Sequence, residues 1–163
     1  MYTYKRTIKS GDMIEVEYYQ SIRKIGKNYG GRKSNNSLSP AKMRKANKLR
    51  AVKRMQRLIN ANFGSGDFFC RFSAPYGTYE SEKEFRAEVG KWLYRINYRR
   101  KKQGKGRLKY IAFIECGKSG KNWHIHIIVS KEDRELLSEQ WPYENGQNFT
   151  PLYKNENFKK LAE

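Results

Sequence analysis

The stretch Trp123-His124-Ile125-His126-Ile127-Ile128-Val129 decides how this chain is interpreted, because it has the composition of a buried strand and contains both histidines of the sequence. Side chains at positions i and i+2 of a strand lie on one face, about 6.6 Å apart along the chain. Two imidazoles placed in this way are close enough to meet at one metal ion. The stretch therefore predicts a strand that carries half of a metal site.

A second apolar run, Tyr110-Ile111-Ala112-Phe113-Ile114, ends in Glu115, nine residues before His124. The glycine-containing loop 117–122 separates the two runs, which predicts a hairpin that brings the carboxylate beside the imidazoles. Two imidazoles and one carboxylate leave coordination positions open, as a catalytic metal site requires. We predict a divalent metal site at Glu115, His124 and His126, filled by Mg or Mn: magnesium prefers oxygen ligands, and imidazoles favour manganese.

The rest of the chain mixes helices with strands. Ser39 and Pro40 are typical of a helix start, and Ser81 with Glu84 forms a capping box. Residues 26–37 are basic, glycine-rich and unpatterned, so we expect a flexible arm there. Periodicity and turn signals predict helices at 39–62, 81–102 and 131–140, a helix starting at 157, a strand at 68–73, and hairpins at 2–19 and 108–130.

These elements predict an α+β fold. We expect a central antiparallel sheet of about five strands with helices on one face and the metal triplet on the other. An N-terminal hairpin, the arm and a basic helix would form a first domain over residues 1–66, and the sheet would form a second over 67–163.

The chain is strongly basic, since 35 Lys and Arg against 16 Asp and Glu give a formal charge of +19. Such a surplus attracts polyanions and favours nucleic acid as the partner. Membrane binding is disfavoured, because the basic helix lacks large aromatic anchors and no run approaches the roughly 18 apolar residues of a span. Cys70 and Cys116 are interpreted as free thiols of a reducing compartment. We expect a cytoplasmic protein that binds nucleic acid.

Two basic segments are candidates for contact with phosphates. The helix at 39–62 has no acidic residue between Pro40 and Asn60, so it forms no local ion pair. The end of the helix at 81–102 carries more cations than its dipole needs. Phosphate contacts of this kind position a strand without choosing its sequence. The candidates are Lys42, Arg44, Lys45, Lys48, Arg50, Lys53, Arg54, Arg57, Arg99, Arg100, Lys101, Lys102, Lys105 and Arg107.

The carboxylate strand, the glycine-containing turn, the His-hydrophobic-His strand and the run Phe69-Cys70-Arg71-Phe72-Ser73 ahead of a helix together resemble the HUH endonucleases. The resemblance covers about residues 68–130 and is to rolling-circle replication initiators and relaxase-like proteins of phages, plasmids and other mobile elements. It implies a ferredoxin-like or RNA-recognition-motif-like sheet. It also implies that Glu115, His124 and His126 hold a divalent cation that polarises the scissile phosphate of single-stranded DNA.

The same resemblance implies a nicking reaction at a replication origin. A tyrosine on a later helix attacks the phosphate, leaving a 5′-phosphotyrosine and a free 3′-hydroxyl. The implied partners are single-stranded DNA or an origin hairpin, and a host helicase.

The nucleophile departs from the family pattern, in which the tyrosine lies within a helix and a lysine follows one turn later. Tyr143 and Tyr153 follow the histidines in the sequence and lack this context. We therefore expect the attacking tyrosine beyond Glu163, so that residues 67–163 form an endonuclease core without the end of its nucleophile helix. If the 163-residue chain forms a covalent DNA adduct, Tyr153 is the first candidate.

Two alternatives stay open. In the first, the protein is a nonenzymatic module that binds single strands on an RNA-recognition-like sheet, and the histidines are merely polar. Manganese binding that a double replacement of His124 and His126 by alanine abolishes would favour the endonuclease over this module. In the second, the protein is a transposase of the same superfamily, which only its substrate hairpin or further C-terminal sequence would distinguish.

Overall fold

The computed structural model describes residues 1–22, 39–153 and Phe158, and within these residues the chain is an α+β protein with three helices and two antiparallel sheets. The expected fold class is confirmed. The expected arm at 26–37 and, apart from Phe158, the expected helix from 157 lie outside the described residues. The structure separates into two compact units, Met1–Asn62 and Phe63–Asn155. The assignment of domains to residues 1–66 and 67–163 stays a prediction.

The first unit contains a hairpin of strands β1 (Tyr2–Ser10) and β2 (Met13–Ser21). Their antiparallel register runs from Tyr2 opposite Ser21 to Ser10 opposite Met13, which leaves a turn of two residues. Gly11 lies in that turn with φ of +59°, and a Cβ there would collide with the carbonyl of Asn60. The turn therefore requires glycine both for its backbone angle and for its close approach to the helix that follows.

That helix, α1 (Pro40–Asn62), begins where its capping sequence predicts. The Ser39 carbonyl accepts a hydrogen bond from the Met43 amide at 3.0 Å, and the Ser39 hydroxyl lies 3.4 Å from the Lys42 amide. Proline at the first helical position loses no hydrogen bond, because that amide has no partner within a helix.

The second unit is built on a four-stranded sheet with the order β4-β5-β3-β6. Every neighbouring pair is antiparallel. Two helices, α2 and α3, accompany it. The elements are β3 (Phe68–Ser73), α2 (Glu82–Lys102), β4 (Tyr110–Cys116), β5 (Trp123–Val129), α3 (Arg134–Gln140) and β6 (Gln147–Pro151).

Strand β6 was not expected from the sequence. Its residues, Gln-Asn-Phe-Thr-Pro, lack a run of apolar or β-branched side chains, and proline argues against a central strand. The structure resolves this, because β6 is an edge strand and Pro151 is its last residue.

The core of this unit lies on one face of the sheet. Alternate residues of β3 and β5, such as Phe72 and Ile127, are buried there against the apolar stripe of α2. The Trp92 side chain of α2 donates its indole N–H to the Leu137 carbonyl of α3 at 3.2 Å, which ties the two helices together. Because side chains alternate along a strand, the residues between these core positions face the other way.

Candidate metal centre

Glu115, His124 and His126 lie on the face of the sheet that is opposite the helices. In the register of β4 and β5, Glu115 is directly across from His124, and Phe113 is across from His126. Their neighbours Ile114 and Ile125 point into the core. The hairpin expected from the sequence thus places all three side chains on one face, because each is an even number of residues, or one cross-strand step, from the others.

The three side chains converge on one point. Glu115 Oε2 lies 3.3 Å from His124 Nε2 and 3.4 Å from His126 Nε2. One ligand atom from each residue lies within 4.8 Å of the other two. Ligands bound to one ion at about 2.0–2.2 Å are themselves roughly 3–3.5 Å apart, so the spacing around the carboxylate fits a shared divalent cation. The carboxylate is 52% exposed whereas the imidazoles are 9% and 17% exposed, so the centre opens to solvent on the Glu115 side.

The protonation of His124 is set by the loop that joins β4 to β5. Its Nδ1 lies 3.1 Å from the carbonyl oxygen of Asn122, which can only accept a hydrogen bond, so Nδ1 carries the proton. In the neutral ring, Nε2 is then an unprotonated acceptor that faces the carboxylate oxygen of Glu115. Two acceptors 3.3 Å apart repel each other unless a cation or a proton lies between them.

His126 is held between two aromatic rings. Its ring stacks on Phe69 at 5.2 Å between centroids with planes 10° apart, and on Phe113 at 5.0 Å and 23°. Burial lowers the pKa of His126, an effect that the Glu115 carboxylate opposes and the charges of His124 and Arg71 reinforce. The imidazole is therefore held neutral, the state in which a ring nitrogen can bind a metal.

Arg71 is a site residue that the sequence did not reveal. It lies on β3 directly across from His126, and its side chain shares the face with the three metal-ligand candidates. Its Nε atom is buried and has no hydrogen-bond partner among the described residues. The signal was present in the sequence, since Arg71 is the single charge within the apolar strand Phe68–Ser73, but one charge in a strand does not identify its neighbours.

The two tyrosines downstream of the histidines do not reach this centre. The Tyr143 hydroxyl bonds to the Tyr79 hydroxyl at 2.7 Å, and the Tyr143 ring packs against the core. Tyr153 follows β6, whose last residue lies opposite Phe68, while His124 lies opposite Ser73 at the other end of β3. The two ends of β3 are roughly 17 Å apart. This separation argues against Tyr153 as the nucleophile.

The basic candidates on α1 divide into two groups. Lys53 and Arg57 face the hairpin, where Lys53 pairs with Glu17 at 2.7 Å and Arg57 pairs with Glu15 at 2.8 Å and Glu17 at 3.2 Å. The helix thus finds acidic partners on β2 that its own sequence lacks. The other candidates on α1 form no ion pair with any described residue and are exposed: Lys42, Arg44, Lys45, Lys48, Arg50 and Arg54.

The candidates near the end of α2 divide in the same way. Arg100 forms an ion pair with the buried Asp133, and its Nε donates to the Gly106 carbonyl at 2.8 Å, so it is a structural residue. The remaining five are exposed and carry no ion pair among the described residues: Arg99, Lys101, Lys102, Lys105 and Arg107. Their contact with DNA stays a prediction.

The fold and the site together define an α+β protein with an open centre of two imidazoles and one carboxylate. Comparison with protein families identifies the chain further: residues 77–160, just over half of the sequence, match the model of the replication-associated protein ORF2 family, and the chain belongs to that family. The matched region includes Glu115, His124 and His126 but not Arg71. Comparison with curated proteins and with solved structures gave no match.

Family membership supports a role in the initiation of replication, and with it DNA as a partner. Among the described helices, none combines the length and the apolar character needed to cross a lipid bilayer.

Proposed function

We propose that this protein is an initiator of rolling-circle replication that nicks single-stranded DNA with the help of a divalent metal, in the manner of the HUH endonucleases it resembles. The observation that carries the proposal is the approach of Glu115 Oε2 to the Nε2 atoms of both histidines, at 3.3 and 3.4 Å. A replication-associated family and a strongly basic chain support DNA as the substrate. The cytoplasmic location and the host helicase stay predictions.

The donor set suits a hard or borderline divalent cation of the Mg or Mn class, held by Glu115, His124 and His126. When bound, such a cation acts as a Lewis acid on a nonbridging oxygen of the scissile phosphate. The protein's own contribution is to fix the ligands before the substrate arrives. The Asn122 carbonyl orients His124, and the rings of Phe69 and Phe113 confine His126.

Arg71 supplies a positive charge on the same face of the sheet. A guanidinium can bind two oxygens of one phosphate, and it stays protonated at every working pH. We assign Arg71 to the DNA phosphate beside the metal centre, where it would hold the strand and balance charge that develops during cleavage. The nucleophile is proposed to be a tyrosine that follows Glu163.

Metal binding tests the core of this proposal separately from cleavage. Isothermal titration of the 163-residue chain with manganese at pH 7.5 is expected to show one site. Replacing His124 and His126 together by alanine, or Glu115 by alanine, should abolish it, because each change removes a ligand from a centre with only three. Glu135→Gln, which removes an exposed carboxylate on α3, is the matched control and should bind as the wild type does.

Two results would contradict the proposal. If the wild type takes up no manganese, the nonenzymatic binding module becomes the better interpretation. If the ligand variants bind manganese as well as the wild type, the metal lies elsewhere. Cleavage is then tested with a library of random single-stranded oligonucleotides and manganese, and any covalent adduct is mapped to its tyrosine. An adduct at Tyr153 would overturn our assignment of the nucleophile.

A further inference from the structure

A basic groove lies beside the C-terminal half of α2, away from the metal centre. It has a volume of about 900 Å³ and is bounded by α2 on one side and by residues 103–109, which lead into β4, on the other. Leu93 and Leu108 give it an apolar floor. A groove of this size falls in the range of ligand sites, roughly 300–1,000 Å³.

Three tyrosines line this groove and are largely exposed. Tyr94 and Tyr98 lie one turn apart on α2, with 72% and 49% of their surface exposed, and Tyr110 begins β4 with 42% exposed. Large aromatic side chains usually bury most of their surface, so three exposed rings around one groove need a reason. Each ring offers a flat face on which a planar ligand can stack.

The groove is also positively charged. Lys101, Lys102, Lys105 and Arg107 line it, and none of them forms an ion pair with another described residue. The Lys102 ammonium lies 4.8 Å from the centre of the Tyr98 ring, which places a cation directly at an aromatic face. The ligand should therefore combine negative charge with aromatic rings.

Both walls of the groove are fixed before any ligand binds. The Arg100 guanidinium, paired with Asp133, bonds to the Gly106 carbonyl, and the Asn97 side chain accepts from the Leu108 amide at 2.9 Å. The Lys105 amide also donates to the Arg100 carbonyl at 2.9 Å. A preformed groove loses less conformational entropy when it binds a ligand than a flexible loop does.

We propose that this groove is a second DNA site, which binds unpaired bases by stacking on Tyr94, Tyr98 and Tyr110 while the lysines and Arg107 contact phosphates. A positively charged groove lined with aromatic rings is the combination that single-stranded nucleic acid requires. The site is distinct from the metal centre, because Tyr110 and Glu115 are five residues apart on β4 and, by the alternation of the strand, face opposite sides of the sheet.

The test measures binding of the 163-residue chain to a labelled oligothymidylate of about 15 nucleotides, within the span usual for single-strand sites. Fluorescence anisotropy in EDTA excludes any contribution from a metal. The double variant Tyr94→Ala, Tyr98→Ala should bind about tenfold or more weakly, since each lost stack weakens binding severalfold or more. The matched variant Tyr94→Phe, Tyr98→Phe keeps the rings and should stay within about twofold of the wild type. Circular dichroism confirms that α2 persists, as expected for alanine on a helix surface.

Further controls distinguish the groove from the hairpin surface and from the metal centre. Tyr18→Ala removes an equally exposed tyrosine of the hairpin, and Glu115→Ala alters the metal centre. Neither should weaken binding in EDTA. The proposal is overturned if the alanine pair binds as the wild type does, if duplex DNA loses as much affinity as the single strand, or if the phenylalanine pair binds as weakly as the alanine pair. A clear preference for oligouridylate would assign the groove to RNA instead. Because no metal is present, failure here leaves the manganese test of the nicking proposal intact.

Discussion

The basic residues of α1 and those around the end of α2 look alike in the sequence, yet the structure uses them differently. On α1, Lys53 and Arg57 turn toward Glu15 and Glu17 of the hairpin and hold it against the helix. Around the end of α2, Arg100 alone turns inward, to Asp133, and its neighbours stay free beside exposed tyrosines. The difference shows that a run of positive charge contains structural and ligand-binding members, which only the position of distant carboxylates separates.

The largest effect is expected from Arg100. Replacing it by alanine leaves Asp133 buried without its partner, which costs about 3 kcal/mol or more of unfolding free energy. The matched variant, Lys101→Ala, removes an exposed charge and should change stability by less than about 0.5 kcal/mol. Urea unfolding followed by circular dichroism measures both. Equal stability of the two variants would show that Arg100 is as expendable as its exposed neighbour.

An intermediate effect is expected for the free cations. Replacing Lys101 and Lys105 by alanine should lower the slope of log affinity against log salt for single-stranded DNA by roughly 0.7 for each lost phosphate contact. At low salt, this corresponds to a loss of about tenfold or more in affinity. Lys53→Ala should leave the slope nearly unchanged, because Glu17 already neutralises that lysine. Anisotropy titrations between low and moderate salt measure the slopes. If Lys53→Ala lowers the slope as much per charge, the division of the two segments is wrong.

The smallest effect is expected at Glu15. Hydrogen bonds from Arg57 lower the pKa of Glu15, and its burial partly opposes them. A carboxyl whose pKa is lower in the folded state stabilises the fold fully above its unfolded pKa and loses that contribution as the pH falls through the folded value. Glu15→Gln should therefore cost about 1 kcal/mol near pH 6 and progressively less below about pH 4.5.

Thermal unfolding of the wild type and of Glu15→Gln, followed from pH 6 to pH 3, measures this convergence. Asp12→Asn is the control, because Asp12 is exposed in the hairpin turn and has no ion pair among the described residues. A difference between the wild type and Glu15→Gln that stays constant over the whole range would contradict a role for the ionised carboxylate.

The sequence was sufficient for the parts of the fold that depend on local pattern. The Ser39-Pro40 start of α1 and the spacing of Glu115, His124 and His126 depend on chain geometry within one helix or one hairpin, so they could be predicted. Strand β6 could not, because its place at the sheet edge comes from pairing with β3, far away in the sequence.

The same limit applies to the site. That His126 lies between Phe69 and Phe113, and that Arg71 lies across from it, follows from the order of three strands. Nothing in a single strand specifies that order. Likewise, the carboxylates that pair with Lys53 and Arg57 come from another element, and a search for partners along α1 alone could not find them.

The carbonyl of Asn122 serves two purposes, and this has a consequence for how the protein can vary. It accepts the Gly117 amide at 2.9 Å, which closes the loop between β4 and β5, and it also accepts the proton of His124 Nδ1 at 3.1 Å. Because the group is part of the backbone, changes of side chain at position 122 preserve it, whereas an insertion or deletion in the loop displaces it. The length of this loop, more than its composition, should be what relatives of this chain keep.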